Sequence, residues 1–331
     1  MPILKNPNFD FLKWRGPAVG LSALIIVAGA AAMALQGGPA LGIDFSGGTI
    51  VIVQFENPVT EDAVRDALGG SVGEAVVQQY DAVDANQIMI RLPQSGPEAG
   101  SSLEAGANAV RDALENSSVG PFQVINQELV GPVIGQELQQ RGINAFVFAM
   151  LGILVYIGVR FRFSFAAGAV IAVLHDILIT LALLTFFRFD LSLNVVAAML
   201  TITGYSVNDS IVVFDRVREN LRQMRRDAFD TLVNTSINQT LSRTIITSGT
   251  TAFAASALFV FGGEVLRGFA FTILVGVVSG TYSTIFIAAA AAIVISERRA
   301  SRRAQAEPVA VASKSRRRAK KARLVRGRER R

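Results

Sequence analysis

The sequence predicts a membrane protein in which an all-α bundle of six transmembrane helices carries an extracytoplasmic α+β domain of the ferredoxin-like (βαββαβ) type. Hydrophobic residues make up 51% of the chain, and they recur in mostly uncharged runs of about 20 residues, the length that crosses a bilayer. Between the first two runs, residues 37–138 have the mixed composition of a water-soluble domain. Together these observations favour an integral membrane protein over a soluble one.

The first span is predicted over residues 16–35, after a polar and basic N-terminal segment, residues 1–15, on the cytoplasmic side. Ala32-Met33-Ala34 resembles a secretory cleavage site, so a cleaved signal peptide is the alternative interpretation. Because the run is long for a signal sequence and further hydrophobic spans follow it, we predict an uncleaved membrane anchor.

The soluble region, residues 37–138, contains four predicted strands and two predicted helices in the order β-α-β-β-α-β. Alternating or β-branched residues predict the strands, which cover residues 49–55, 75–80, 88–92 and 122–128. Apolar stripes with Thr60 and Ser101 as caps predict the helices, which cover residues 60–68 and 103–114. This order is that of a ferredoxin-like split βαβ sandwich.

Five further spans are predicted within residues 142–296, at about 142–159, 163–187, 191–214, 244–263 and 268–296. Six spans place both chain ends on one side, and the loops on that side hold most of the Lys and Arg residues. This bias predicts cytoplasmic termini and an outer soluble domain. The final segment, residues 297–331, is rich in Lys and Arg. We predict a disordered cytoplasmic tail that binds anionic lipid, with a ribosome or RNA contact as the alternative.

Composition and motifs exclude several classes of function. The chain has no cysteine and one histidine, which excludes disulfides and thiol chemistry and leaves little scope for a zinc site. It has no GxxxxGK[ST] loop, so ATP hydrolysis is not expected. We therefore predict neither an enzyme nor a cofactor.

The fourth span carries a carboxylate, Asp209, at a depth where an ionisable group costs about 2.5–3.5 kcal/mol or more. Helical spacing places five small or polar residues of this span on one face: Thr201, Gly204, Tyr205, Asn208 and Asp209. That face is predicted to pack against other helices or to line a wet cavity. Two interpretations of Asp209 stay open. It joins two helices by hydrogen bonds, or it gains and loses a proton during work across the membrane.

A second polar pair, His175-Asp176, lies near the middle of the third span. Consecutive helical residues point about 100° apart, so these two side chains need not share a partner. Either residue extends a proton path or links neighbouring helices, and the sequence leaves both interpretations open.

Arg243 lies at the start of the fifth span, just before residue 244, at a depth comparable with that of Asp209, and Thr247 follows it on a polar surface. An arginine that faces Asp209 would stabilise the carboxylate. The alternative is an interfacial residue that extends to the membrane surface. In the last span, Gly276 and Gly280 have the spacing of a close helix contact.

After the first helix, Asp44, Gly47 and Gly48 are predicted to form a turn into the soluble domain.

Five stretches of the sequence resemble the SecF proteins of the SecD/SecF family, a relative of the resistance-nodulation-division transporters. The resemblance as a whole covers about residues 10–297. The five stretches are LGIDFSGGT (41–49), VGPVIGQEL (130–138), TGYSVNDSIVVFDRVREN (203–220), RTIITSGTT (243–251) and FGGEVLRGFAFTILVGVVSGTYS (261–283).

The resemblance implies a subunit of the bacterial inner membrane that, with SecD, uses proton motive force to help draw preprotein through the SecYEG translocon. YajC is a further candidate partner, and no specific nucleic acid is expected. The resemblance also implies that Asp209 is the proton-binding residue, that Arg243 is its partner and that Asn208 lies beside them. It assigns no role to His175 or Asp176. The alternatives are a proton-driven exporter of small molecules and a purely structural translocon subunit, and sodium in place of the proton stays open.

Overall fold

The computed structural model describes residues 7–69, 72, 75–80, 86–93, 103–161, 163–224 and 227–299. Six of its helices are long and apolar enough to cross a membrane. The predicted cap Ser101 and the predicted tail beyond residue 299 lie outside the described residues.

The membrane helices form a bundle in which three central helices carry most of the buried side chains and three lie outside them. The central ones are α6 (Phe163–Phe186), α7 (Leu193–Gln223) and α9 (Gly263–Ser283). The outer ones are α1 (Arg15–Leu35), α5 (Pro132–Arg160) and α8 (Phe229–Phe261). After α9 the chain makes a π-helical turn over Thr284–Ala288 and then continues as a helix to residue 299.

Besides α5, which begins at Pro132 rather than at residue 142, two helices extend well beyond the spans that hydropathy predicts. α7 continues past residue 214 to Gln223, and α8 begins at Phe229 rather than at residue 244. The extensions pair with each other through Asn220, whose amide donates to Ser236 Oγ at 2.9 Å and to Gln239 Oε1 at 2.8 Å. Hydropathy marks only the lipid-facing part of a helix, whereas backbone hydrogen bonds and polar contacts continue it into water.

Two asparagines of α8, Asn234 and Asn238, form hydrogen bonds with the N-terminal segment, and we call this contact the clasp. The Asn238 side chain accepts from the backbone N–H of Phe9 and donates to its carbonyl, both at 2.8 Å. One turn earlier, Asn234 donates to the Phe9 carbonyl at 2.9 Å and accepts from the N–H of Phe11 at 3.0 Å. Each amide side chain thus pairs with backbone groups that precede α1 and would otherwise lack a helical partner.

The small domain is an antiparallel sheet of four strands in the order β2-β3-β1-β4. The strands are β1 (Gly48–Phe55), β2 (Val76–Gln79), β3 (Gln87–Pro93) and β4 (Phe122–Val130). Two helices pack on one face: α3 (Glu61–Leu68) and α4 (Leu103–Glu115). Their apolar sides cover Val51, Val53 and Ile90, which explains why these alternating strand residues are buried.

A short helix, α2 (Ile43–Ser46), joins α1 to the sheet and touches the start of α7. Asp44 Oδ2 accepts the backbone N–H of Leu193 at 2.8 Å. Gly47 and Gly48 then turn the chain with φ of +70° and +137°. A Cβ on Gly48 would lie 2.4 Å from the carbonyl oxygen of Leu92, so glycine is required there. The predicted turn is therefore also a cap for the helix that carries Asp209.

The connection before α7 also pairs with the small domain. Leu191 donates its N–H to the Ala40 carbonyl at 2.7 Å and accepts from Gly42 at 2.9 Å. Arg91 of β3 forms an ion pair with Asp190, and both side chains are largely buried. The sheet is thus tied to the first residues of α7.

Candidate functional site

Asp209 lies buried at the interface of α7 with α8, 6% exposed. Its Oδ1 accepts the hydroxyl of Thr244 at 2.8 Å. Its Oδ2 is buried and has no hydrogen-bond partner among the described residues. A buried carboxylate with a single side-chain donor is an expensive arrangement for a purely structural group.

Arg243 does not form the direct ion pair with Asp209 that a facing arginine would make. Among the described residues the ion pairs within 4.0 Å do not include these two, and Arg243 is exposed. Because consecutive helical residues point about 100° apart, Thr244 faces α7 while Arg243 faces outward. The hydrogen bond from α8 to Asp209 is therefore made by Thr244, and Arg243 acts on the carboxylate only at longer range.

The small and polar face of α7 lies at the edge of the bundle rather than wholly inside it. Asp209 and Tyr205 contact α8, and the Tyr205 hydroxyl donates to Ser248 at 3.3 Å. The other three members of the face are exposed on this chain: Thr201, Gly204 and Asn208. Within this chain, Tyr205 and Asp209 pack against another helix as predicted, and for the exposed residues the packing partner or wet cavity stays a prediction.

Thr247, the other residue singled out on α8, is exposed and turns back onto its own helix. Its hydroxyl donates to the carbonyl oxygens of Arg243 and Thr244 at 3.1 Å each. Such back-bonding satisfies the hydroxyl locally and joins no second helix. Ser248, one position further along, instead pairs with Thr281 of α9 at 2.7 Å.

Asp176 is the centre of a buried polar cluster that joins α6, α7 and α9. The hydroxyls of Ser206 and Ser283 donate to its Oδ2 at 2.6 and 2.7 Å, and that of Ser279 donates to its Oδ1 at 2.6 Å. His175 Nδ1 lies 3.1 Å from the same Oδ1. The two side chains contact each other, because rotation about side-chain bonds turns them together despite the 100° between them, while their other partners differ, as the sequence allows.

Sequence reasoning did not connect these serines with Asp176, although α9 carries a signal for the close helix contact that brings them together. Gly280 approaches α7 so closely that a Cβ would lie 3.1 Å from Ser206 Cβ, and one on Gly276 would lie 2.4 Å from Ile202. Small residues at this spacing bring helices together, and Ser279 stands between the two glycines. Within the described ranges, no three His, Asp or Glu side chains gather as a metal ion requires.

Two family models match the chain. The model described as "Protein export membrane protein SecD/SecF, C-terminal" matches residues 109–298, and the "SecD/SecF GG Motif" model matches residues 36–59, which include Asp44, Gly47 and Gly48. The chain is 40% identical over 292 residues to the protein translocase subunit SecF of Escherichia coli O157:H7, covering 88% of this chain and 89% of that protein. It is 40% identical over 310 residues to the subunit of the same name from Rhodothermus marinus, covering 92% and 98%.

Solved structures agree with these matches. A crystal structure of SecDF, a translocon-associated membrane protein from Thermus thermophilus, superposes with a TM-score of 0.75 at 34% identity over 88% of this chain. SecDF in a super-membrane-facing form superposes with a TM-score of 0.64 at 37% identity over 91% of this chain. This chain spans 39% and 40% of those two longer chains. The resemblance seen in the motifs is confirmed, and the chain belongs to the SecD/SecF family of protein-export membrane proteins, on its SecF branch.

Proposed function

We propose that this SecF subunit of a protein translocase is driven by proton motive force, and that Asp209 takes up and releases the proton. The two carboxylates buried in the described spans differ in one decisive respect. Both oxygens of Asp176 accept hydrogen bonds, whereas Asp209 Oδ2 has no partner among the described residues. A proton can bind Oδ2 without displacing a donor, so Asp209 suits reversible protonation and Asp176 does not.

Protonation would loosen the contact between α7 and α8. A hydrogen bond to a charged group contributes about 1.5–3 kcal/mol, and one to a neutral group about half as much. Neutralising Asp209 therefore weakens the bond from Thr244 and the longer-range attraction of Arg243. A proton that falls through about 100 mV supplies about 2.3 kcal/mol. The two energies are of the same order, so one proton is enough to shift this contact between two arrangements.

We propose that SecD packs against the exposed part of the α7 face. Thr201 and Asn208 are polar side chains within a membrane span and are exposed on this chain. The Thr201 hydroxyl donates to the Ala197 carbonyl of its own helix at 2.8 Å, whereas lipid offers the Asn208 amide no partner. A second six-helix bundle that covers them would complete the site, and the longer SecDF chains support this arrangement. SecYEG, exported preprotein and YajC are proposed as further partners, and anionic lipid as the partner of the tail.

The small domain is proposed to be a ferredoxin-like fold outside the inner membrane, with both termini in the cytoplasm. Its element order β-α-β-β-α-β and its antiparallel strand order β2-β3-β1-β4 support the fold. The basic residues of the α7–α8 end support the orientation, including Arg216, Arg218 and Arg222.

The test is gradient-dependent completion of preprotein export in inverted membrane vesicles, with wild type, Asp209→Asn and Asp215→Asn at matched levels. Asp215 is the control because it lies on the same helix but is largely exposed. We expect Asp209→Asn alone to lose the gradient's contribution while it still copurifies with SecD. Full gradient dependence in Asp209→Asn would refute the proposal. A lower yield of complex with unchanged specific activity would instead assign Asp209 a structural role.

A further inference from the structure

A chain of hydrogen bonds separate from the Asp209 site runs through the buried His175. His175 is 7% exposed and its neighbour Asp176 is 2% exposed. His175 is also the only histidine in the sequence. Histidine is the side chain that changes charge between about pH 5 and pH 8, so its two ring nitrogens determine what this chain can do.

The first ring nitrogen, Nδ1, faces the carboxylate of Asp176, whose oxygens only accept hydrogen bonds. Ser206 and Ser283 donate to Oδ2 of Asp176, and Ser279 donates to its Oδ1. Each of these bonds is 2.6–2.7 Å long, which is typical of hydrogen bonds to an ionised carboxylate. Nδ1, at 3.1 Å from Oδ1, is then the fourth donor and carries a hydrogen.

The second ring nitrogen, Nε2, leads to α1 and α9. It lies 2.8 Å from Ser22 Oγ, which in turn lies 3.1 Å from the hydroxyl oxygen of Tyr282. The Tyr282 hydroxyl is 2.6 Å from the carbonyl oxygen of Ala18, which can only accept. The hydrogen of Tyr282 is therefore committed to Ala18, and its oxygen remains an acceptor.

The single hydrogen of the Ser22 hydroxyl consequently has two possible acceptors. With a neutral imidazole, Ser22 donates to Nε2. With a proton on Nε2, the ring donates to Ser22 Oγ, and the Ser22 hydrogen rotates to the oxygen of Tyr282. Both arrangements satisfy every donor with the same heavy-atom positions, and they differ by one proton.

We propose that His175 is a proton-binding site of its own, with Asp176 as its counter-ion and the Ser22 hydroxyl as the rotating element. The titratable groups that face His175 are Asp176 on α6 and Tyr282 on α9. α1 and α7 present the uncharged Ser22 and Ser206 to this pair. Among the described residues that contact the ring, an added proton thus meets one carboxylate and no cation.

The charge of His175 affects the contacts among three helices, α1, α6 and α9. Protonation strengthens the bonds of the ring to Asp176 on one side and to Ser22 of α1 on the other, since charged donors bond about twice as strongly. It also creates the bond from Ser22 to Tyr282, which joins α1 to α9 just before the π-helical turn at Thr284–Ala288. The proposal does not rest on Asp209, and its readout does not require export.

Because the chain has one histidine, nitrogen NMR of ¹⁵N-histidine-labelled full-length protein in lipid nanodiscs reports this site alone. Between about pH 5 and pH 9, we expect the neutral ring to carry its hydrogen on Nδ1 and to take a second proton on Nε2 as the pH falls. A ring that stays neutral throughout, or a neutral ring with its hydrogen on Nε2, would overturn the proposal.

Tyr282→Phe removes the oxygen that receives the rotated Ser22 hydrogen. At a pH where the wild-type ring is half protonated, we expect the ratio of charged to neutral rings to fall about 2- to 10-fold, the effect of one hydrogen bond. Tyr205→Phe is the control, because that hydroxyl bonds Ser248 instead. Equal ratios in the two variants would contradict the role given to Ser22. Ser22→Ala, with folding checked by thermal unfolding, gives a second measure in which an unchanged ratio also counts against it.

Discussion

At Gly29, α1 and α6 approach so closely that a methyl group has no room. A Cβ built there would lie 2.2 Å from Ala182 Cβ and 2.7 Å from Ala182 Cα. Carbon atoms in contact are about 3.5–4.0 Å apart, so the Gly29→Ala variant must move the two helices apart by roughly 1–2 Å. Ser22 lies two helical turns earlier on the same face of α1, and its 2.8 Å bond to His175 does not survive a shift of that size.

The expected loss of stability follows from two opposing effects. Overpacking of this kind costs about 1–3 kcal/mol, and replacing a helical glycine by alanine returns up to about 1 kcal/mol. Gly20, on the same helix, has nothing within 4 Å of a built Cβ, so Gly20→Ala shows the second effect alone. The difference between the two variants is therefore the cost of the contact, about 1–3 kcal/mol.

The assay is thermal unfolding of the detergent-solubilised protein, combined with the nitrogen spectrum of His175. We expect Gly29→Ala to unfold several degrees below Gly20→Ala and to change the Nε2 signal, because Ser22 is displaced. Adding Ala182→Gly, which removes the methyl that is struck, should recover part of the loss. Equal unfolding temperatures for Gly29→Ala and Gly20→Ala would refute the packing argument.

Three further predictions test other contacts. Asp44→Ala removes a cap from α7 and should cost about 0.5–2 kcal/mol, seen as faster hydrogen exchange in the first turn of α7; unchanged exchange contradicts the capping role. Thr244→Val should reduce gradient-dependent export in vesicles, since it removes the donor to the buried carboxylate of α7, whereas Thr247→Val should not; equal effects would place the coupling elsewhere. Asn238→Ala should speed thiol labelling of a cysteine introduced by Phe9→Cys, a unique label in a chain without cysteine; unchanged labelling would show that the clasp does not hold.

Much of the fold was predictable because hydropathy and side-chain alternation are local properties. The strand at β1 starts one residue before its predicted range and ends with it, and Thr60 caps α3 by accepting the N–H of Ala63 as its sequence position indicates. The extension of α8 back to Phe229 was not predictable in this way. Its first turns are polar, and they are helical because they pair with α7 and with the N-terminal segment.

The candidate site was predictable in its residue types but not in its contacts. A carboxylate within a hydrophobic span is rare because its insertion into the membrane costs free energy, so Asp209 and Asp176 stand out in the sequence. The choice of Thr244 over Arg243 as the contact depends on the rotation of α8 about its axis, which a 100° step per residue leaves undetermined without the packed structure. The serines around Asp176 come from two other helices, and no local pattern connects them to it.

The clasp of α8 on the N-terminal segment has a consequence for the order of synthesis. Phe9 and Asn238 are separated by 229 residues, which a ribosome adds in roughly 10–45 s at about 5–20 residues per second. During that interval the segment before α1 lacks its contacts with Asn234 and Asn238. Ser22 of α1 also lacks its contact with Tyr282, which is synthesised later still. α1, the earliest synthesised of the described spans, is thus among the last to reach its final partners, and a chain arrested before residue 234 lacks the hydrogen bonds of Asn234 and Asn238 to the segment before α1.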